Sequence, residues 1–187
     1  MDTTVFILPG INNSGPGHWQ TLWEQANPAF ARIQQRDWEH PVCSEWADVL
    51  DGSLEATPGN PLLVAHSLAC LVVARWAAHS KRTIKGALLV APPNPQGPNF
   101  PQSALGFYPV PMKRFAFPSI LVASSSDPYG DLESAEAYAS AWGSRLVNVG
   151  ALGHINAASG LGEWPEGFSL LRSLLTDQLT TPAPLMR

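Results

Sequence analysis

Six short runs of apolar and β-branched residues recur along this 187-residue chain, separated by stretches of helical period. That alternation most narrows what the chain can fold into. The runs are TTVFIL (3–8), ARIQQ (31–35), PLLVA (61–65), IKGALLV (84–90), SILVAS (119–124) and SRLVNV (144–149). Segments such as LLVA and ALLV have no polar face, so they suit strands covered on both sides. Helices are predicted over 18–26, 43–56, 68–79, 132–142 and 167–180. In the second, Trp46, Val49, Leu50 and Leu54 fall at three- and four-residue spacing. The third is apolar almost all round and is placed centrally against the sheet. The pattern predicts an α/β protein: a three-layer, doubly wound parallel sheet of about six strands. The length fits one domain, residues 1–187, with no room for a second core. The tail TTPAPLMR (180–187) reads as a frayed end.

Charge and cysteine content narrow the partners. The formal net charge is -4 and no Lys/Arg cluster interrupts it, which argues against nucleic acid. No apolar run approaches the roughly 20 residues that span a bilayer, so no membrane partner is expected. Cys43 and Cys70 are too few for a disulfide framework, and both read as reduced thiols. With no signal-like apolar stretch at the start, the expected location is the cytoplasm.

One segment breaks the rhythm. Residues 91–115 contain seven prolines and no evident element. They follow a strand's carboxyl end, the side on which open α/β sheets bind ligands. They are expected to wall or cover a pocket, with Phe100, Phe107 and Tyr108 as apolar lining.

The chemistry starts at PLLVAHSLACLVVARW (61–76), a buried strand, a sharp turn and a buried helix with Ser67 at the turn. A nucleophile elbow has this form, usually as G-x-S-x-G. Here Ala65 and Ala69 stand at the glycine positions, each adding one methyl where strand and helix approach. The competing reading is a serine that only caps the helix. The rest of the chain decides between them. A nucleophilic serine needs a base, and the base needs an orienting acid. Asp127, in ASSSDPYG, and His154, in GALGHIN, each come just past a predicted strand and follow Ser67 in the order Ser, Asp, His. Asp131 is the alternative acid. His18, His40, His66 and His79 fit the base role less well, with His66 expected to point away from the serine. The N–H groups of Leu68, at the helix start, and of Ile11, in LPGINNSGPGHW, are candidate oxyanion donors, with Asn12 an alternative to Ile11. The loop after the first strand lacks a P-loop pattern, and no residue cluster has metal-ligand spacing. No cofactor or metal is expected.

PGINNSGPGHWQTLWE (9–24), VAHSLAC (64–70) and ASSSDPYG through GHINAASGLGEWPEG (123–167) together resemble the small serine hydrolases of the retinoblastoma-binding protein 9 type. The His-Trp-Gln segment and the Asp-Pro-Tyr to Gly-His-Ile-Asn segment are the most specific parts of that likeness. The resemblance implies a minimal α/β-hydrolase fold without a cap domain and strand order 2-1-3-4-5-6. It also implies a triad of Ser67, Asp127 and His154. The family's L-x-C-x-E partner motif is not matched, since Pro41 stands where leucine should be. The expected activity is hydrolysis of small carboxylic esters, or amides or thioesters, through an acyl-enzyme on Ser67. The alternatives are a flavodoxin-like interaction module with an inactive site, and an acyl transferase using the same serine.

Overall fold

The computed structural model describes residues 3–176, so the tail at 180–187 and the end of the last predicted helix lie outside the described residues. The strands are β1 (Val5–Leu8), β2 (Phe30–Arg32), β3 (Leu62–His66), β4 (Gly86–Val90), β5 (Ser119–Ala123) and β6 (Arg145–Asn148). The helices are α1 (Trp19–Ala26), α2 (Cys43–Glu55), α3 (Leu68–His79), α4 (Leu132–Trp142) and α5 (Pro165–Leu175). The strands form one sheet of order β2-β1-β3-β4-β5-β6, and every pairing is parallel.

The apolar runs of β1, β3, β4 and β5 form strands buried on both sides, while the edge strands β2 and β6 stay partly exposed. Along β1, Val5 and Ile7 face a core with α1 and α5, while Phe6 and Leu8 face the opposite core with α2, α3 and α4. The same alternation divides Leu62 and Val64 from Leu63 and Ala65, and Leu88 and Val90 from Ala87 and Leu89. A residue period of two therefore distributes one apolar run over two layers. Helices cover both faces, and among the described residues no cap domain stands over the sheet's carboxyl edge.

Most element ends lie within two residues of the sequence reading, and β2 and α5 differ most. The β2 ladder lies at Phe30–Arg32, and Ile33 ends it with one bond, N–H to Ile7 O at 2.9 Å. Helix α5 starts at Pro165 rather than 167. Proline at the first helical position needs no acceptor for its nitrogen and arrives with helical φ already set.

Residues 91–115 form no helix and no strand of the sheet. They are nonetheless anchored: Phe107 and Phe115 enter the α2–α3–α4 core, and Trp142 Nε1–H donates to Pro111 O at 2.9 Å. The expected aromatic lining is therefore corrected. Phe107 is core, Phe100 packs on that core, Tyr108 is 61% exposed, and the segment lends the pocket Pro93 and Pro101 instead. A large ring gains more by burial than by lining an open cleft.

Candidate active site

The sheet order reverses between β1 and β3, so the loops leaving them lie side by side at the carboxyl edge. Ser67 sits between β3 and α3 with φ +57 and ψ −127. A serine in that region is strained, and such strain persists only where the surroundings impose it. Among the described residues its side chain makes no capping hydrogen bond. The hydroxyl instead donates to His154 Nε2 at 2.8 Å. The two readings of this serine part here, because a capping side chain would turn back to the helix amides.

Ala65 and Ala69 are accommodated, both nearly fully buried. The tightest approach lies elsewhere. A Cβ on Gly10 would stand 2.8 Å from Ser67 Cβ, so glycine is required in the loop after β1. Ile11 follows it, and both line the same cavity as Ser67 and Leu68. Among the described residues the Ile11 N–H makes no hydrogen bond, whereas Asn12 N–H donates to Trp38 O at 2.8 Å. The alternative donor is thus already committed. Leu68 opens α3, where a helix leaves its amides without internal acceptors.

His154 completes a continuous chain. Its Nδ1–H donates to both Asp127 oxygens, at 2.9 and 2.8 Å. The Asp127 side chain is 2% exposed. Asp127 also accepts from Tyr129 N–H at 2.9 Å, which carries the Tyr129 ring to 4.6 Å from the imidazole. Asp131, the alternative acid, is not part of this chain. It caps α4, accepting from Ser134 N–H at 2.7 Å, and those hydrogen bonds hold its carboxyl below the usual range.

Two serines of the ASSSD stretch latch the acid loop to the base loop. Ser124 Oγ accepts from Leu152 N–H and Ser126 Oγ from Gly153 N–H, each at 2.9 Å. Sequence reasoning missed them, since loop serines carry no signal of a partner some 27 residues away. It also misplaced His66. His66 does not point away: its Nε2–H donates to His154 O at 2.9 Å, and its ring lies 4.9 Å from the His154 ring. His18 caps α1, accepting on Nδ1 from Gln20 N–H at 3.1 Å, and lies 4.8 Å from the His66 ring. Burial, then the Arg32 guanidinium and His154, pull the His18 pKa down to about 4. Burial first, then His154 and His18, hold His66 well below its ordinary value. Both rings are neutral at neutral pH. With Nδ1 accepting, the His18 proton sits on Nε2, which is buried and has no partner among the described residues. Gln20 bridges the strand ends beneath, donating to Leu8 O and Val64 O at 3.1 and 3.0 Å. His40 and His79 are surface residues remote from the serine.

A cavity of about 520 Å³ opens over these groups, walled by Asn12, Asn13, Pro93, Pro101, Tyr129 and Asn156. A larger one of about 620 Å³ between α2 and α3 carries Asp51, Arg75 and Arg82 but pairs no nucleophile with a base. Cys43 and Cys70 are buried free thiols; burial pushes Cys43 up to about 11 and Cys70 further. Among the described residues no group of three or more His, Cys, Asp or Glu could hold a metal ion, and no helix is long and apolar enough to cross a membrane.

A parallel sheet of this order with a strained serine between β3 and α3 defines an α/β-hydrolase-type protein. The serine hydrolase family matches residues 5–173, and the chain belongs to that family; it is an enzyme, a serine hydrolase. It is similar to a YdeN-like hydrolase of Pectobacterium atrosepticum, at 29% identity and TM-score 0.80, over 97% of this chain and 94% of that one. The ydeN gene product of B. subtilis aligns at 21% identity and TM-score 0.73, over 94% and 100%. A monoacylglycerol lipase of Paleococcus ferrophilus shares the fold at 15% identity and TM-score 0.69, over 92% and 93%. No curated protein matches the chain significantly.

Proposed function

We propose that this serine hydrolase cleaves small carboxylic esters, or amides or thioesters, through an acyl-enzyme on Ser67. The observation that carries the reading is the unbroken chain of hydrogen bonds from Asp127 through His154 to Ser67. As Ser67 Oγ bonds to the substrate carbonyl carbon, its proton passes to His154 Nε2. Asp127 holds the imidazole in the accepting tautomer and stabilises the imidazolium. The Ile11 and Leu68 amides receive the oxyanion. The carbon–oxygen bond to the alcohol breaks, and His154 returns the proton to the departing oxygen. Water then adds to the acyl carbon as His154 takes its proton, the bond from that carbon to Ser67 Oγ breaks, His154 returns the proton to Oγ, and the free acid leaves.

The wider assignments belong to the same reading. The motifs of residues 9–24, 64–70 and 123–167 favour the retinoblastoma-binding protein 9 type within the family. One domain over residues 1–187 is consistent with the single sheet, and two reduced thiols suit the cytoplasm. The substrate is a small molecule; its cleavage calls for no cofactor.

A fluorophosphonate probe tests the reading, with intact mass measured for the native protein and for Ser67→Ala. One covalent adduct on the native chain and none on the variant is the expected result. A panel of p-nitrophenyl esters, with an added alcohol or amine as competing acceptor, then separates hydrolysis from acyl transfer. A folded native protein that takes no adduct and cleaves no ester would leave an inactive site and overturn the proposal.

A further inference from the structure

The His-Trp-Gln segment at 18–20 stands out in the sequence, yet the triad uses none of its side chains. Its place in the structure joins it to the base loop. Ile155, next to His154, has φ +47, and it is fully buried. A β-branched residue avoids that region, so something must hold it there. Two side chains do so from distant parts of the chain. Trp19 Nε1–H donates to Ile155 O at 2.8 Å, across 136 residues. His66 Nε2–H donates to His154 O at 2.9 Å, across 88 residues. The two consecutive carbonyls that bracket the strained unit are thus each taken by a buried ring donor. The rings support one another: Trp19 and His66 meet edge to face at 6.0 Å, and His18 lies against both, at 5.2 Å from Trp19 and 4.8 Å from His66.

We infer that Trp19 and His66 are positioning residues for His154, fixing the backbone of the base loop so that Nε2 stays on Ser67 while Nδ1 stays on Asp127. The inference rests on reading His154 as the general base. Neither side chain needs to meet the substrate. Their effect is on alignment, where a displacement near 1 Å costs about 100-fold in rate. His66 also explains what the elbow dipeptide supplies. Ser67 provides the nucleophile, and the residue before it reaches the base loop from the end of β3.

Trp19→Phe removes one donor and keeps a ring. His66→Leu removes the other, and His66→Gln keeps an amide N–H in its place. Each folded variant is assayed for kcat and KM on a small p-nitrophenyl ester and for the low-field proton resonance of the Asp127–His154 hydrogen bond. Trp19→Phe and His66→Leu are expected to lower kcat about 10- to 100-fold with KM within about twofold, and to broaden or lose that resonance. His66→Gln is expected to recover most of the loss. Because both donors hold one unit, the double variant should lose less than the product of the single losses. Unchanged kcat and an unchanged resonance in folded Trp19→Phe overturn the inference, and that variant decides the matter if His66→Leu does not fold. The resonance is read without substrate. A native protein that shows it but cleaves nothing removes the functional reading and leaves the positioning role testable.

Discussion

Two segments leave the carboxyl edge of the same sheet and are held in different ways. In the base loop the backbone is tied residue by residue: Leu152 and Gly153 by Ser124 and Ser126, His154 by His66, Ile155 by Trp19, and Asn156 by Ser159. The proline-rich segment 91–115 is tied only at intervals, by bonds such as Leu105 N–H to Pro41 O at 2.8 Å and Phe115 N–H to Trp142 O at 2.9 Å, and it adds the burial of Ala104, Phe107 and Phe115 in the core. Directional bonds fix atoms to fractions of an ångström, which proton transfer requires. Apolar burial fixes a segment's place without specifying the angle of any one group. Under the proposed function the short loop therefore carries the base, and the long one contributes wall and volume.

Three experiments sharpen or break that contrast. The largest effect is expected in the base loop's partner. Asp127→Asn keeps the shape but favours the wrong imidazole tautomer, and kcat should fall about 10,000-fold with a melting temperature near the native one. A loss below about tenfold would mean that the Asp127–His154 bond does not orient the base.

In the proline-rich segment the cost should move from rate to stability. Phe107→Ala is expected to destabilise the fold by about 3–5 kcal/mol in denaturant titration. The kcat of the folded fraction should stay within about threefold. A rate loss matching that of Asp127→Asn would show the two segments to be coupled, and the division of roles would fail.

The smallest effect concerns acid. His18 is pulled from 6.5 to about 4 in the folded protein, so the unfolded chain binds more protons between those values. Stability therefore rises with pH across that window. Roughly 3 kcal/mol from His18 is present in full above pH 6.5 and is lost as pH falls to about 4. His66 contributes in the same direction. Melting temperatures followed across this range should fall with acid, and less steeply in His18→Asn, which can still cap α1. An unchanged slope in that variant would exclude His18 as a source.

The fold and the three hydrogen-bonded groups on which the proposal rests were legible because both follow local rules. Apolar runs such as LLVA can only be strands covered twice, and strand ends in such folds face one edge. Ser67, Asp127 and His154 each follow a run of that kind, so their types and order pointed to one another. Gly10 and Ile11 were expected beside the serine for the same reason, as the turn after β1, and both line its cavity. The aromatic lining was misread because loop position was taken for exposure, whereas Phe107 lies in the core.

What the sequence determined alone was therefore the layer order's ingredients and the identity of the groups that can do the chemistry. That the Ser67 side chain bonds to His154 and does not cap the helix was decided only in three dimensions, by a φ of +57 that turns its hydroxyl from the helix. The same holds for Trp19, His66, Ser124 and Ser126. Their roles are single hydrogen bonds to backbone atoms on other loops, reaching across as many as 136 residues. Such bonds leave no periodicity or motif behind, because they exist only once the sheet has brought those loops to one edge.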